Sequence, residues 1–243
     1  MFSGPRRRNL RFGEEMREFL LCLHHPFVMP VLDLIFFAEN ESSAGQAGGP
    51  AGEVPVPSSL GVFRSVAAWG SLRDVMHSGA DPALPVDTKY AAARRLGSPL
   101  PQERLALYGR QILEAIVFLQ SVWVSCAGVT TSNVLVLSDD WCLVTDWEND
   151  LLGMRSSSTR HDWLSTRPHP AVYAFGHILY EMVSGGAPLL SNTLPPTLQE
   201  NVAVPVLQVL DTIFNYPVGD KFEALDSQSA KNPFHNMIPG INL

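Results

Sequence analysis

The sequence predicts an α+β fold that is mostly helical and carries a small cap of strands. Two long segments, 101–124 and 171–186, repeat their large apolar residues with the period of an α-helix, which predicts two buried helices. The short strand-like segments come in two pairs and do not alternate singly with helices. A parallel doubly wound sheet is therefore not expected, because that architecture needs repeated βαβ units.

The N-terminal part predicts a helix followed by a hairpin. Residues 13–24 place Met16, Phe19, Leu20 and Leu23 on one helical stripe. Segments 28–39 and 60–69 are typical of strands and are expected to pair as a long hairpin. The Gly/Ser/Pro-rich segment 40–59 between them predicts a flexible loop.

The C-terminal part predicts helices around a second, smaller hairpin. A short helix at 70–79 and an irregular segment at 80–100 precede the helix 101–124. Its inward residues are expected to be Leu105, Tyr108, Ile112, Leu113, Ile116 and Leu119. Strands at 134–137 and 141–145 follow, joined by a polar turn. The helix 171–186 is expected to bury Val172, Phe175, Ile178, Leu179 and Met182, and to end at Gly185 and Gly186. Further helices are predicted at 204–214 and near 220–230.

Bulk properties narrow the class of protein. A chain of 243 residues with 46% hydrophobic residues can bury a sizeable core, and its net charge of −7 argues against nucleic-acid binding. The three cysteines form no CxxC or disulfide framework, which favours an intracellular, cytoplasmic protein. No apolar stretch is long enough to cross a membrane. The basic run with Arg6, Arg7 and Arg8 predicts a solvated arm, with contact to a membrane surface as the alternative.

The stretch "SNVLVLSDDWCLVTDWEND", residues 132–150, has the most specific pattern. Asn133 precedes one short strand and Asp146 follows the next, thirteen positions later. An amide oxygen and a carboxylate are oxygen ligands that Mg²⁺ prefers, so the two residues are candidate positions for a metal ion and a phosphate. A hydrogen-bonded turn at the end of a strand is the alternative interpretation.

Several phrases, taken in order, resemble a protein kinase domain. "HPFVMPVLDL" resembles the end of the C helix, "SVAAWGSLRDVM" the hinge, "SNVLVLSDDWCLVTDWEN" the catalytic-loop Asn through the DFG segment, and "AVYAFGHILYEMVSGGAP" the F helix. Within kinases, "LALYGRQILEAIVFL" and "FGHILYEM" are similar to the branch of PX-domain-containing kinase-like proteins and slowpoke-binding proteins. The resemblance implies a basic arm at 1–13, a partial N-lobe at 14–70 and a C-lobe at 71–243. It begins at the C helix, so a trimmed protein and a truncated gene model both stay open.

The same resemblance implies that the catalytic residues are lost. Gly128 stands where kinases carry the catalytic Asp, and Thr130 where they carry a phosphate-contacting Lys. The three lysines, Lys89, Lys221 and Lys231, all follow the C-helix segment, so the N-lobe lysine is not expected. The Gly-rich stretch 45–52 lacks GxGxxG spacing. In the DFG-like triplet Asp146 is kept, while Trp147, expected to be a core residue, and Glu148 replace Phe and Gly.

These features predict a catalytically inactive, kinase-like binding module. The resemblance links it to membrane trafficking or channel regulation. The alternative is an active or residual ATP-dependent serine/threonine kinase. No cofactor is expected, although weak Mg²⁺ or ATP binding at Asn133 and Asp146 stays open. An N-lobe without its first strands would expose Phe36, Phe63 and Trp69, which predicts a surface for a protein partner or for self-association.

Overall fold

The computed structural model describes residues 5–38, 57–67, 69–77, 97–149, 151–152, 169–189, 194–195, 198 and 202–215. The chain divides into two compact units, Met1–Val66 and Ala67–Leu243. The elements of the first are α1 (Pro5–Cys22), β1 (Asp33–Ala38) and β2 (Pro57–Phe63). Those of the second are α2 (Leu72–Met76), α3 (Gln102–Ser121), β3 (Val134–Ser138), β4 (Trp141–Val144), α4 (Pro170–Ser184) and α5 (Val204–Asn215). Helices and small antiparallel sheets together confirm the α+β class.

In the first unit, the predicted hairpin forms with shorter strands. β1 pairs with β2 in antiparallel register from Asp33↔Phe63 onwards. The first strand starts at Asp33 rather than near residue 28 because a turn and Pro30, which has no N–H to donate, precede it. The second ends at Phe63, opposite that start. Residues 39–56, most of the predicted loop 40–59, lie outside the described part of the chain.

Helix α1 is longer at its start than the sequence predicts. It begins at Pro5, not at residue 13, so the basic run that was expected to be a separate arm is helical. Pro is favoured in the first turn of a helix, and Gly13 inside it costs only about 1 kcal/mol. α1 contacts β1, and Arg17 forms an ion pair with Asp33 at 2.7 Å that holds the pKa of that carboxyl below its usual value.

In the second unit, the two helices that were predicted to be buried, α3 and α4, pack against each other. Tyr108 and Ile112 of α3 and Met182 of α4 are completely buried. Of the residues expected to point inward, Leu113 and Val172 are only half-buried; Val172 lies in the first turn of α4. α4 ends at Gly185 with φ 70°, the left-handed conformation expected of a terminating glycine.

Helix α5 packs closely against α4. A Cβ atom on Gly176 of α4 would lie 2.7 Å from Ile213 of α5 and 3.0 Å from Phe214, so a larger residue there would require these side chains to shift. The helix predicted near 220–230 lies outside the described residues. The core of this unit therefore consists of α3, α4 and α5, with the β3–β4 hairpin packed on α3.

Candidate nucleotide and metal site

The β3–β4 hairpin brings Asn133 and Asp146 side by side. Asn133 ends a short 3-10 turn, Thr131–Asn133, directly before β3, and Asp146 lies two residues after β4 ends. Val134 pairs with Val144, and the backbone N–H of Thr145 donates to the carbonyl oxygen of Asn133 at 2.8 Å. Although thirteen positions separate the two candidate residues in the sequence, the antiparallel register places both at one end of the hairpin.

Three side chains at this position form a chain of hydrogen bonds. The hydroxyl of Thr130 donates to Oδ1 of Asn133 at 2.8 Å. The amide nitrogen Nδ2 of Asn133 donates to Oδ2 of Asp146, also at 2.8 Å. The carboxylate accepts hydrogen bonds only, and this fixes the orientation of the amide. The nitrogen of Asn133 faces Asp146, and its oxygen faces Thr130.

This orientation does not fit a cation shared between Asn133 and Asp146. Mg²⁺ and Ca²⁺ take oxygen ligands, whereas Asn133 presents an N–H₂ donor to the carboxylate. Turning the amide over would break the hydrogen bond to the Asp146 carboxylate, and a bond to a charged group contributes about 1.5–3 kcal/mol. Within the described ranges, no group of three or more His, Cys, Asp or Glu side chains is arranged to hold a metal ion.

The backbone at Asp146 is in an unusual conformation. Its φ is 58°, in the left-handed region, which costs most non-glycine residues about 1–2 kcal/mol and which Asp tolerates better than bulkier residues. The next two side chains turn into the protein. Trp147 is 2% exposed, in line with its predicted place in the core, and Glu148 is completely buried. The segment that resembles DFG is therefore packed into the interior directly after Asp146.

A second hydrogen bond connects the 3-10 turn with helix α4. Sequence reasoning did not predict it. The hydroxyl of Thr131 donates to Oε2 of Glu181 at 2.5 Å, and both side chains are buried. The signal was present in the sequence, since Glu181 is the one carboxylate among the apolar residues of segment 171–186. Gly128 lies half-buried in the same loop.

The predicted interaction residues fall in both units. Phe63, in Met1–Val66, is 47% exposed, and Trp69, in Ala67–Leu243, is 45% exposed. The backbone of Phe36 pairs with Leu60, while its side chain lies outside what the structure describes, as do those of Arg6, Arg7 and Arg8. The first unit also exposes Leu32, Ile35 and Val66, which the sequence did not single out.

One further exposed residue was not predicted. Trp123, just after α3, has φ 64° and a side chain that is 93% exposed. The backbone N–H of Trp123 donates to the carbonyl of Gln120, and the backbone N–H of Val124 donates to the carbonyl of Leu119. This is the hydrogen-bond pattern of a Schellman motif, whose left-handed residue is usually glycine.

None of the helices in the described part of the chain is long and apolar enough to span a membrane.

Comparison with known proteins finds relatives whose names describe kinase-like proteins. No protein-family model matches it. It is 28% identical over 253 aligned residues to the slowpoke-binding protein of Drosophila melanogaster, an alignment that covers 94% of this chain and 45% of that protein. It is 31% identical to a protein of Dictyostelium discoideum named probable inactive serine/threonine-protein kinase slob2, over 60% of this chain and 24% of the relative.

A third relative carries the other name predicted from the motifs. The PX domain-containing protein kinase-like protein of Mus musculus is 34% identical over 54% of this chain and 23% of its own length. The chain thus spans less than half the length of these curated relatives. The matches confirm the resemblance inferred from the motifs: the chain is similar to a slowpoke-binding protein, to the probable inactive kinases slob1 and slob2, and to a PX domain-containing protein kinase-like protein.

Proposed function

We propose that this chain is a non-catalytic kinase-like module that acts by binding another protein. The observation that carries the proposal is the hydrogen bond from the Asn133 amide nitrogen to the Asp146 carboxylate. It engages the two residues that would otherwise be the metal ligands of a kinase. The names of the slob1 and slob2 relatives, which include the words "probable inactive", support the same conclusion.

The loop before Asn133 supports the loss of phosphate transfer. By resemblance, Gly128 replaces the general base, and glycine has no side chain to accept a proton. Loss of a positioned base costs a factor of about 10²–10⁴ in rate. Thr130 replaces the phosphate-contacting Lys, and its hydroxyl is directed at Asn133. The site therefore offers neither a base for the substrate hydroxyl nor a positive charge for the phosphate.

Exposed apolar side chains support the binding role. Phe63 and Trp69 are nearly half exposed, and Val66 is 94% exposed. Large aromatic residues on a surface are typical anchors of protein interfaces. The Drosophila relative is named for binding another protein. Family resemblance extends the proposal to membrane trafficking or channel regulation, and the sequence's lack of a disulfide framework supports an intracellular site of action.

Radiolabelled ATP tests the catalytic half of the proposal. Purified chain, incubated with labelled ATP, Mg²⁺ or Mn²⁺ and generic protein substrates, is expected to transfer no phosphate above a heat-inactivated control. Incorporation that disappears in the Asp146→Ala variant would show an active kinase and overturn the proposal. The variant is the matched control, because it distinguishes transfer by this chain from transfer by a contaminating kinase.

Thermal stability tests nucleotide binding in the same preparation. A ligand at about 100 times its dissociation constant stabilises a fold by about 2.7 kcal/mol. We expect no rise in melting temperature with millimolar ATP and Mg²⁺. A dose-dependent rise that is lost in Asn133→Ala would mean that the pair still holds nucleotide.

A further inference from the structure

We propose that Thr130, Asn133 and Asp146 form a permanent clasp between the 3-10 turn and the end of β4, so that the module acts independently of Mg²⁺ and nucleotide. The inference rests on the proposed non-catalytic function and deepens it by stating how the module is regulated. It also assigns these residues a task that does not require a ligand.

Donors and acceptors match along the three side chains. The Thr130 hydroxyl donates to the amide oxygen of Asn133 at 2.8 Å. The amide nitrogen of Asn133 donates to the carboxylate of Asp146, also at 2.8 Å. The turn itself adds a hydrogen bond from the N–H of Asn133 to the carbonyl of Thr130 at 2.9 Å. The three side chains therefore bond to one another within the protein.

Helix α4 also holds the 3-10 turn in place. Thr131, next to Thr130, is 1% exposed and donates to the buried Glu181 of α4. Since α4 belongs to the core, the 3-10 turn is fixed between that helix and the hairpin. A shift of Asn133 towards a ligand would have to disturb this buried contact.

Asp146 is held by the residues that follow it. The buried side chains of Trp147 and Glu148 follow it, and the backbone N–H of Asn149 donates to its carbonyl oxygen at 3.2 Å. The left-handed backbone of Asp146 is thus held within a packed segment. The carboxylate has little freedom to move away from Asn133 without movement of core residues.

A regulatory consequence follows. A ligand shifts an equilibrium between two conformations only if it binds one of them better. With the amide oxygen of Asn133 turned towards Thr130, the closed pair gives a cation no preferred geometry. ATP and divalent cations are therefore not expected to switch the module between conformations.

The test uses the full chain with Mg²⁺ alone, Mn²⁺ alone and Mg²⁺ with ATP. Direct binding of Mn²⁺ is followed by electron paramagnetic resonance, and the melting temperature is recorded in each condition. The wild type is expected to bind no Mn²⁺ at the pair and to melt at the same temperature throughout. Asn133→Ala and Asp146→Ala are each expected to lower the melting temperature by roughly 2–6 °C. The double variant is expected to lose no more than the greater single loss, because both changes remove the same contact.

The exposed pair on α5 offers a matched control. Asn215 donates to Asp211 at 2.6 Å, the same chemistry on a solvated helix face, so Asn215→Ala should leave the melting temperature almost unchanged. Asp146→Asn keeps an acceptor oxygen for Asn133 and is expected to retain most of the stability. If the alanine variants fail to fold, Asp146→Asn replaces them in the measurements of Mn²⁺ binding and melting temperature.

Two results would overturn the clasp. One is Mn²⁺ binding or Mg²⁺-dependent stabilisation of the wild type that is lost in Asp146→Asn. The other is full additivity of the two alanine losses. A chain that binds Mn²⁺ but transfers no phosphate would refute the clasp and leave the proposed function intact, whereas phosphate transfer would refute the proposed function itself.

Discussion

The two hairpins of this protein have the same architecture but different surroundings. Both β1–β2 and β3–β4 are two-stranded and antiparallel, and each has one irregularity in its register. In β3–β4, Val134, Val136, Cys142 and Val144 are all buried at 1% exposure or less. In β1–β2, Ile35 and Phe63 remain 38% and 47% exposed, and by the register they lie on the same face.

Helix α3 accounts for the difference at β3–β4. Gln111 accepts from the backbone N–H of Cys142 at 2.8 Å and donates to the carbonyl of Asp140 at 2.7 Å. The hydroxyl of Tyr108 reaches the carbonyls of Ser138 and Asp139, each at 3.1 Å. The hairpin that carries Asn133 and Asp146 is thus hydrogen-bonded to helix α3. The other hairpin leaves apolar surface available to a partner.

A charge placed in the core beneath β3–β4 should have the largest effect. Ile112 of α3 is completely buried, so Ile112→Asp would bury an unpaired carboxylate and destabilise the unit by more than about 4 kcal/mol. Urea unfolding followed by circular dichroism measures the loss. Val117→Asp, on the same helix at a position that is 38% exposed, should cost less than about 1 kcal/mol. Equal losses in the two variants would contradict the assignment of α3 as the core helix.

Removing the glutamine that holds β4 should have the next largest effect. Gln111→Ala leaves the N–H of Cys142 and the carbonyl of Asp140 without their partner, for a loss of about 2–4 kcal/mol. Gln120→Ala, at an exposed position of α3, is the control and should be nearly neutral.

Cysteine alkylation gives a local readout of the same variant. Burial raises the pKa of the Cys142 thiol to about 12, and the reactive species is the thiolate, so the wild type should be alkylated at the exposed Cys22 alone. Gln111→Ala should increase labelling of Cys142. Unchanged labelling together with a full loss of stability would place the effect in the core and not at the hairpin.

Much of this arrangement could be predicted from the sequence. Helices α3, α4 and α5 and the β3–β4 hairpin follow from apolar periodicity and from glycine and polar-turn signals, all of which are local. The start of α1 could not be located, since neither the basic run nor Gly13 interrupts a helix strongly. The position of Asn133 and Asp146 was also readable from their spacing.

The hydrogen-bond partners at the site could not be read in the same way. Whether Asn133 turns its oxygen or its nitrogen towards its neighbours depends on the carboxylate of Asp146, which the register of the β3–β4 hairpin brings to it. The tie from Thr131 to Glu181 joins residues fifty positions apart. Contacts of that kind are determined by tertiary packing, which has no local pattern in the sequence.

Relief of backbone strain should give a smaller effect of opposite sign. Trp123 is left-handed and 93% exposed, so Trp123→Gly removes a steric cost and should stabilise the second unit by about 1 kcal/mol. Gly185→Ala is the reciprocal control and should destabilise, because the new Cβ would lie 2.3 Å from the carbonyl oxygen of Gly97. A loss of stability in Trp123→Gly would mean that the indole packs against the fold in solution.

The smallest effect on stability should come from the exposed hairpin, where the expected change is in association. Phe63→Ser removes an aromatic side chain that is nearly half exposed, so the free energy of unfolding should change by no more than about 0.5 kcal/mol. If β1–β2 carries the binding surface, the variant should nevertheless lose self-association, measured by size-exclusion chromatography with light scattering, or should lose the protection of residues 33–38 and 57–63 from hydrogen exchange that a partner provides. Val204→Ser, at an exposed position of α5, is the matched control and should leave both measurements unchanged. A stable wild-type monomer whose β1–β2 residues gain no protection from any partner would remove the functional contrast between the hairpins. A loss of stability as large as that of Gln111→Ala would show instead that Phe63 belongs to the core of its unit.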